Sequence, residues 1–396
     1  MNKFLSVALG LAFVGLFGTS VSAQTDTVYT FKDVKILKHT SVKDQYRSGT
    51  CWSFSGNGFL EAELIRTGKG EFDLSEMYVV KESYSEKAEK YVRLQGSLNF
   101  GGGGAFHDVT NAWKNYGVVP ESAFAGLQYG EDKHVHGELD AVLKAYMEAV
   151  IKNPNKKLST AWHAGLDGIL DAYLGATPEK FTYNGKEYTP KSFADYLGLN
   201  MDDYIEISSY THHPFYKPFI IEVPDNWSWN QVYNLPLEDM MKVINNSLEN
   251  GYTVGWASDV SEKGFAYNKG IAVVPETSVN ELAGSEKAKW EKMTEKERMS
   301  QMYNFDKVVP EKKITQEMRQ AEFDNQKTTD DHGMLLVGYA DGPNGARFYK
   351  VKNSWNVDNK YEGYFYASIP FVEFKTMSIM VNKKAIPAEI LKKLGL

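Results

Sequence analysis

Cys51 is the only cysteine in 396 residues. A chain with one thiol has no internal disulfide, so its fold rests on a buried apolar core and paired backbone groups. The composition can supply that core: 42% of the residues are hydrophobic, and 24 Tyr and 21 Phe are among the aromatic residues. The length exceeds the ~250–300 residues at which one core stops growing. One domain with large insertions, or two closely packed lobes, is therefore expected. A formal charge of −7 argues against nucleic acid as a partner, because phosphate binding needs a basic face.

Residues 1–23 read as a leader rather than as part of the fold. Lys3 gives a positive start, and Phe4 to Gly18 is apolar but too short to span a bilayer. Val21-Ser22-Ala23 is a small-residue cleavage site before Gln24. The expectation is an exported protein, periplasmic or secreted, whose folded domain covers residues 24–396. No later stretch reads as an integral membrane segment.

Cys51 lies where the chain changes character. Ser48, Gly49 and Thr50 are loop and N-cap residues, and Cys51 to Thr67 follows as a helical run stopped by Gly68. Unpaired N–H groups and the positive end of the helix dipole gather at such a start. A thiol there is expected to lose its proton more easily, and the thiolate is the nucleophile. Gln45, in the loop feeding the helix, can add an amide donor beside the Cys51 N–H, the pair that an acyl-transfer oxyanion requires.

Further along, Ser75 to Lys90 reads as a helix. Gly101 to Gly104 lacks the spacing and the lysine of a phosphate loop and reads as backbone that a ligand can approach. His134 with His136, and His212 with His213, lack the carboxylates or thiols of a zinc signature and read as solvated. No metal or cofactor is expected. Residues 121–200 and 276–331 read as helical and charged, the second as a solvated face without function. His332 then heads an apolar strand to Tyr339, the turn Asp341 to Gly345 follows, and Phe348 to Asn353 returns. Such a hairpin brings Asn353 beside His332.

These groups suffice for amide cleavage by a thiol. Cys51 attacks, His332 takes and later returns a proton, Asn353 orients the ring, and Gln45 with the Cys51 N–H binds the oxyanion. Trp355 covers the Asn353–His332 contact. The same groups also leave open an amidase or acyltransferase, or a peptide-binding protein without catalysis.

The pattern of Gln45, Cys51-Trp52, a late His332-Gly333 and Asn353-Ser354-Trp355 resembles the papain-like cysteine peptidases. Arg47-Ser-Gly-Thr-Cys51-Trp-Ser-Phe54, Gly103-Gly104 before a helix ending Tyr116-Gly-Val-Val-Pro120, Ile314-Thr-Gln-Glu-Met-Arg319 and Ile386-Pro-Ala-Glu-Ile-Leu391 are similar to the bleomycin hydrolase/aminopeptidase C branch. The resemblance implies an α+β, two-lobed papain-like fold with helical insertions: a helical lobe, a β-barrel-like sheet lobe and a cleft between them. It implies hydrolysis of peptides, with Gly103, Gly104, Trp52 and Trp355 contacting substrate. That branch ends in an arm reaching into the cleft, whereas this sequence stops at Gly395-Leu396. Cleavage from the end or the middle of a peptide, and assembly into a homo-oligomer, stay open. The short stretch from Gln24 to Cys51 leaves no room for a long inhibitory prosegment.

Overall fold

The computed structural model describes residues 28–278 and 284–396; the leader lies outside them. The helices are α1 (Cys51–Arg66), α2 (Glu76–Arg93), α3 (Phe106–Tyr116), α4 (Gly137–Ile151), α5 (Ala161–Leu174), α6 (Pro190–Leu197), α7 (Leu237–Glu249), α8 (Gly284–Trp290), α9 (Glu295–Asn304), α10 (Gln316–Asp324), α11 (Ile369–Lys375) and α12 (Ala388–Leu394). The strands are β1 (Lys32–Ile36), β2 (Phe181–Tyr183), β3 (Lys186–Tyr188), β4 (Tyr204–Ser208), β5 (Pro218–Ile220), β6 (Gln231–Asn234), β7 (Val254–Ser258), β8 (Phe265–Ala266), β9 (Ile271–Ala272), β10 (His332–Asp341), β11 (Arg347–Lys352), β12 (Tyr364–Ser368) and β13 (Thr376–Asn382).

α1 is buried from Trp52 to Leu64, on every face. Phe59, Leu60 and Leu64 pack into a core shared with α2, α3 and the helices of residues 121–200. The buried carboxylates of α1 are offset by local partners. Glu61 accepts from Thr40 Oγ1 at 2.6 Å and the Leu74 N–H at 2.9 Å. Glu63 accepts from Arg66 at 2.6 and 2.8 Å and from Asn382 Nδ2 at 2.7 Å. The small hairpin β2–β3 sits within this helical region, a feature the sequence reading did not anticipate.

The second lobe is one mixed sheet in the order β5-β6-β4-β13-β7-β10-β11-β12-β9-β8, with β1 also paired to β10. β10 is the strand that matters for the site. It is buried from His332 to Ala340, as expected for an apolar run with paired strands on both sides. Its register sets His332 opposite Ser258 of β7 and Leu335 opposite Lys352 of β11. A second core, built on Trp256, Ile244, Phe371 and Ile379, lies behind this sheet with α7, α11 and α12. The architecture is the papain-like α+β fold expected from the motifs.

Two expectations are corrected. His136 is buried, 0% exposed, and His134 is half-buried, so neither is simply solvated, and burial pushes both imidazoles down to about 4. The segment 276–331 is not simply a wet face. α10 buries Arg319, whose guanidinium donates to the carbonyls of Ser209 at 2.9 Å, Glu373 at 3.2 Å and Phe374 at 3.3 Å, and also to that of Thr376.

Candidate active site

Cys51 is the first residue of α1. The loop before it is anchored on two sides. The Gln45 N–H donates to Ser354 O at 2.8 Å, and the Arg47 N–H to His134 O at 2.9 Å. The N-cap residue Thr50 makes no side-chain cap; its hydroxyl instead lies 2.6 Å from Ser48 Oγ. The Trp52 N–H is thus free to face the Cys51 sulfur, as does the N–H of Gly333 from β10.

β10 delivers His332 to the same place, and Cys51 and His332 line one cavity with Trp52, Gly104, Phe106 and Gly333. Asn353 follows β11 and meets His332: Nε2 of the ring lies 2.6 Å from Asn353 Oδ1. That atom also accepts the Ser354 N–H at 2.8 Å, so it is the amide oxygen. The His332 Nε2 therefore carries the hydrogen, and Nδ1 keeps the lone pair that can take a proton. Trp355 lies over the ring, 4.5 Å between centroids at 30°, and is itself held by Tyr267 at 5.2 Å and Phe265 at 5.9 Å.

Gln45 is buried and tied to this cluster. Its Oε1 accepts from Ser354 Oγ at 2.6 Å, and one amide hydrogen goes to Ser48 O at 2.9 Å. The second amide hydrogen remains for another acceptor. Trp52 is 3% exposed and donates through Nε1 to Gly102 O at 2.8 Å. This bond lashes the glycine loop to α1. Gly104 stands in the cavity wall, where a Cβ would lie 2.8 Å from the Trp52 ring and 2.9 Å from Asp108 Oδ2. Gly103 lies against the Asp225 carboxylate, and its carbonyl accepts from Lys87.

The electrostatics run against the expectation that the helix start makes the Cys51 thiol lose its proton more easily. Burial pushes the Cys51 thiol up to about 12, against the help of the Gly333 and Trp52 N–H groups, and Asp330 and Asp225 add to the rise. Burial pushes His332 down to about 4, against its bond to Asn353 and the charge of Asp331. Each group alone is neutral near pH 7. The two charges form together, by transfer of one proton from sulfur to Nδ1, each then serving as the other's counterion.

Several cavity residues were not singled out from the sequence: His107, Glu206, Asp225, Asp330 and Asp331. The available signal was the pair of aspartates directly preceding His332. The other surface histidines carry less. His212, His213 and Glu222 come within 4.8 Å of one another. Gln320, whose Oε1 accepts the Thr211 N–H at 2.6 Å, turns its amide nitrogen to His212 Nδ1 at 3.0 Å. That leaves the hydrogen on Nε2, directed at Glu222 3.0 Å away, and makes the trio a hydrogen-bonded cluster rather than a ligand set.

With this geometry in place, comparison with known proteins decides the family. The chain matches the Peptidase C1-like family over residues 14–301 and 279–395. It belongs to that family. The protein is a cysteine-type peptidase of the papain-like group, in the bleomycin hydrolase/aminopeptidase C branch. Similar proteins include Aminopeptidase C of Streptococcus thermophilus, 21% identical over 98% of this chain and 90% of the relative. Aminopeptidase C of Listeria monocytogenes is 24% identical over 89% of this chain and 82% of its own. A crystal structure of PepW from Lactobacillus rhamnosis HN001 superposes with a TM-score of 0.70 at 20% identity, covering 92% of this chain and 84% of that one. At that identity the superposition speaks for the fold.

Proposed function

We propose that this peptidase removes residues from the free amino end of short peptides through an acyl-enzyme on Cys51. The observation that carries the chemistry is the 2.6 Å contact between His332 Nε2 and Asn353 Oδ1 in the wall of the Cys51 cavity. It leaves Nδ1 as the base. The sulfur gives its proton to His332 Nδ1 and attacks the scissile carbonyl. The Cys51 N–H and the spare Gln45 amide hydrogen receive the oxyanion. His332 then returns the proton to the leaving amine, and water, deprotonated by the same ring, releases the acyl group. Restriction to the amino end is favoured by the aminopeptidases that the chain resembles. Export is favoured by Lys3 and the apolar stretch from Phe4 to Gly18.

The test is digestion of one peptide in two forms, free and N-acetylated, by protein expressed with its leader. Stepwise shortening of the free form, an intact acetylated form, no turnover by Cys51→Ala and a mature chain beginning at Gln24 are expected. Internal cleavage of both forms at equal rates would exclude the amino-end restriction. A purified chain retaining residues 1–23 would exclude processing of the leader.

A further inference from the structure

The cavity beside Cys51 is lined by four carboxylates, Glu206, Asp225, Asp330 and Asp331, and one imidazole, His107. Catalysis as described above uses none of them. Two of the four already have partners. Glu206 Oε1 accepts from His107 Nδ1 at 2.8 Å and from the His107 N–H at 2.6 Å. Asp331, exposed, accepts from Thr329 Oγ1 at 2.7 Å and the Ser261 N–H at 3.1 Å. Asp225 has only Asn99 Nδ2, at 3.0 Å on Oδ1. Asp330 accepts no hydrogen bond from the described residues. The charge of Lys87 reaches Asp225, but its ammonium hydrogen-bonds the carbonyls of Gly101, at 2.8 Å, and Gly103 rather than a carboxylate of the cavity.

A second observation points to a missing ligand. His107 is 8% exposed, yet its Nε2 has no hydrogen-bond partner in the described structure. Although burial opposes it, the charges of Glu206 and Asp108 raise this imidazole to about 9. Its Nε2–H lies 3.8 Å from Asp108 Oδ1, beyond hydrogen-bond reach, and so is a buried donor without a hydrogen bond, an arrangement proteins ordinarily avoid. The wall thus offers two carboxylates to a cation and one N–H to an oxygen.

We propose that Asp225 and Asp330 form a seat for a primary ammonium group beside the nucleophile, occupied by the α-ammonium of the peptide's first residue. The amino end of a peptide brings the needed cation to the nucleophile, its α-ammonium one carbon away from the carbonyl that Cys51 attacks. The α-ammonium is favoured over a side chain because these carboxylates line the same cavity as Cys51, where the first residue of a peptide being shortened has to lie. Burial, followed by the neighbouring carboxylates, raises the Asp330 carboxyl to about 8 and shifts Asp225 upward too. An entering cation relieves that crowding. The inference deepens the amino-end reading by naming the side chains that enforce it.

Binding to Cys51→Ala protein tests the seat without requiring turnover. The probe is one tripeptide amide in three forms: free, N-acetylated, and N-acetylated with lysine first. Calorimetry is expected to show the free form binding at least tenfold tighter than the acetylated form. Asp330→Asn or Asp225→Asn in that background should erase the difference while the acetylated form binds as before. In the active enzyme the same substitutions should raise KM for the free peptide more than they lower kcat. Thermal melting of each variant separates this from misfolding. Equal binding of the free and acetylated forms, or an equal loss for both in the variants, overturns the seat. Tight binding of the acetylated lysine form, lost in the same variants, overturns its assignment to the α-ammonium. Failure of the peptidase reading would show separately, as turnover unaffected by Cys51→Ala.

Discussion

His332 is worth following atom by atom, because its proton chemistry is set by three neighbours of different kinds. Asn353 fixes the tautomer, the Ser354 N–H fixes the orientation of Asn353, and Trp355 keeps the ring dry. Dryness explains the fall to about 4, since burial is the largest influence on this ring. A buried imidazole resists protonation until a counter-charge appears. Trp355→Ala should admit water and lift the pKa of His332 from about 4 toward the ordinary ~6.5. NMR titration of the ring nitrogens measures this directly. Activity should fall with the change, because a wetter site screens the ion pair that the reaction has to form. A His332 that still titrates near its wild-type value would show that Trp355 is not what dries it. At this scale the meeting of Cys51, His332 and Asn353 was legible in the sequence: a helix start, a strand start and a strand end leave few positions for such a cluster. Asp225 was not. It reaches the cleft by way of the loop after β5, and no local pattern announces that.

At the level of elements, the helix α10 shows where pattern reading stops. Its surroundings are charged, and a run of Lys and Glu ordinarily marks a solvated face. Arg319 within it is 1% exposed and serves as a bolt. Its guanidinium joins the end of β4, the last turn of α11 and the start of β13 through four backbone carbonyls, and it stacks on Tyr210 with 4.6 Å to the ring centroid. Five fixed donors in a plane make arginine suited to this and lysine not. Arg319→Met keeps much of the volume but leaves those carbonyls without donors. A loss of roughly 3–5 kcal/mol is expected, given ~1–3 kcal/mol for each group left unpaired, read from urea unfolding midpoints. A loss below about 1 kcal/mol would mean that water replaces the guanidinium. The helices α1, α2 and α3 and the hairpin β10–β11 were legible because start and stop signals flank clear apolar runs there. The hairpin β2–β3 was not, because its three-residue strands are too short to show a period.

The whole molecule holds buried groups whose responses to acid oppose one another, which composition does not reveal. A formal charge of −7 suggests only solubility. The fold, however, holds three imidazoles, those of His134, His136 and His332, near 4 by burial. Their sign is set by linkage. Between about 6.5 and 4 the unfolded chain binds a proton at each position that the folded chain refuses, so stability falls as pH falls through that window and is full above it. Each unit of pH within the window costs about 1.4 kcal/mol per group. Buried carboxyls pull the other way: Glu311, raised by burial to about 7, and Glu121 and Asp330, raised by burial to about 8, favour the folded state on acidification. His136 isolates the imidazole effect, because it is 0% exposed and neither ring nitrogen finds a partner. It holds an unsatisfied polar ring in the core at the start of α4, and an apolar residue of similar size relieves both costs. His136→Leu is therefore expected to be more stable than wild type at pH 7.5. The margin should widen by about 2 kcal/mol at pH 5, from 1.5 units of pH below ~6.5. Urea midpoints of the two proteins at both pH values decide the matter. A margin that stays constant between them would show that His136 takes up its proton inside the fold.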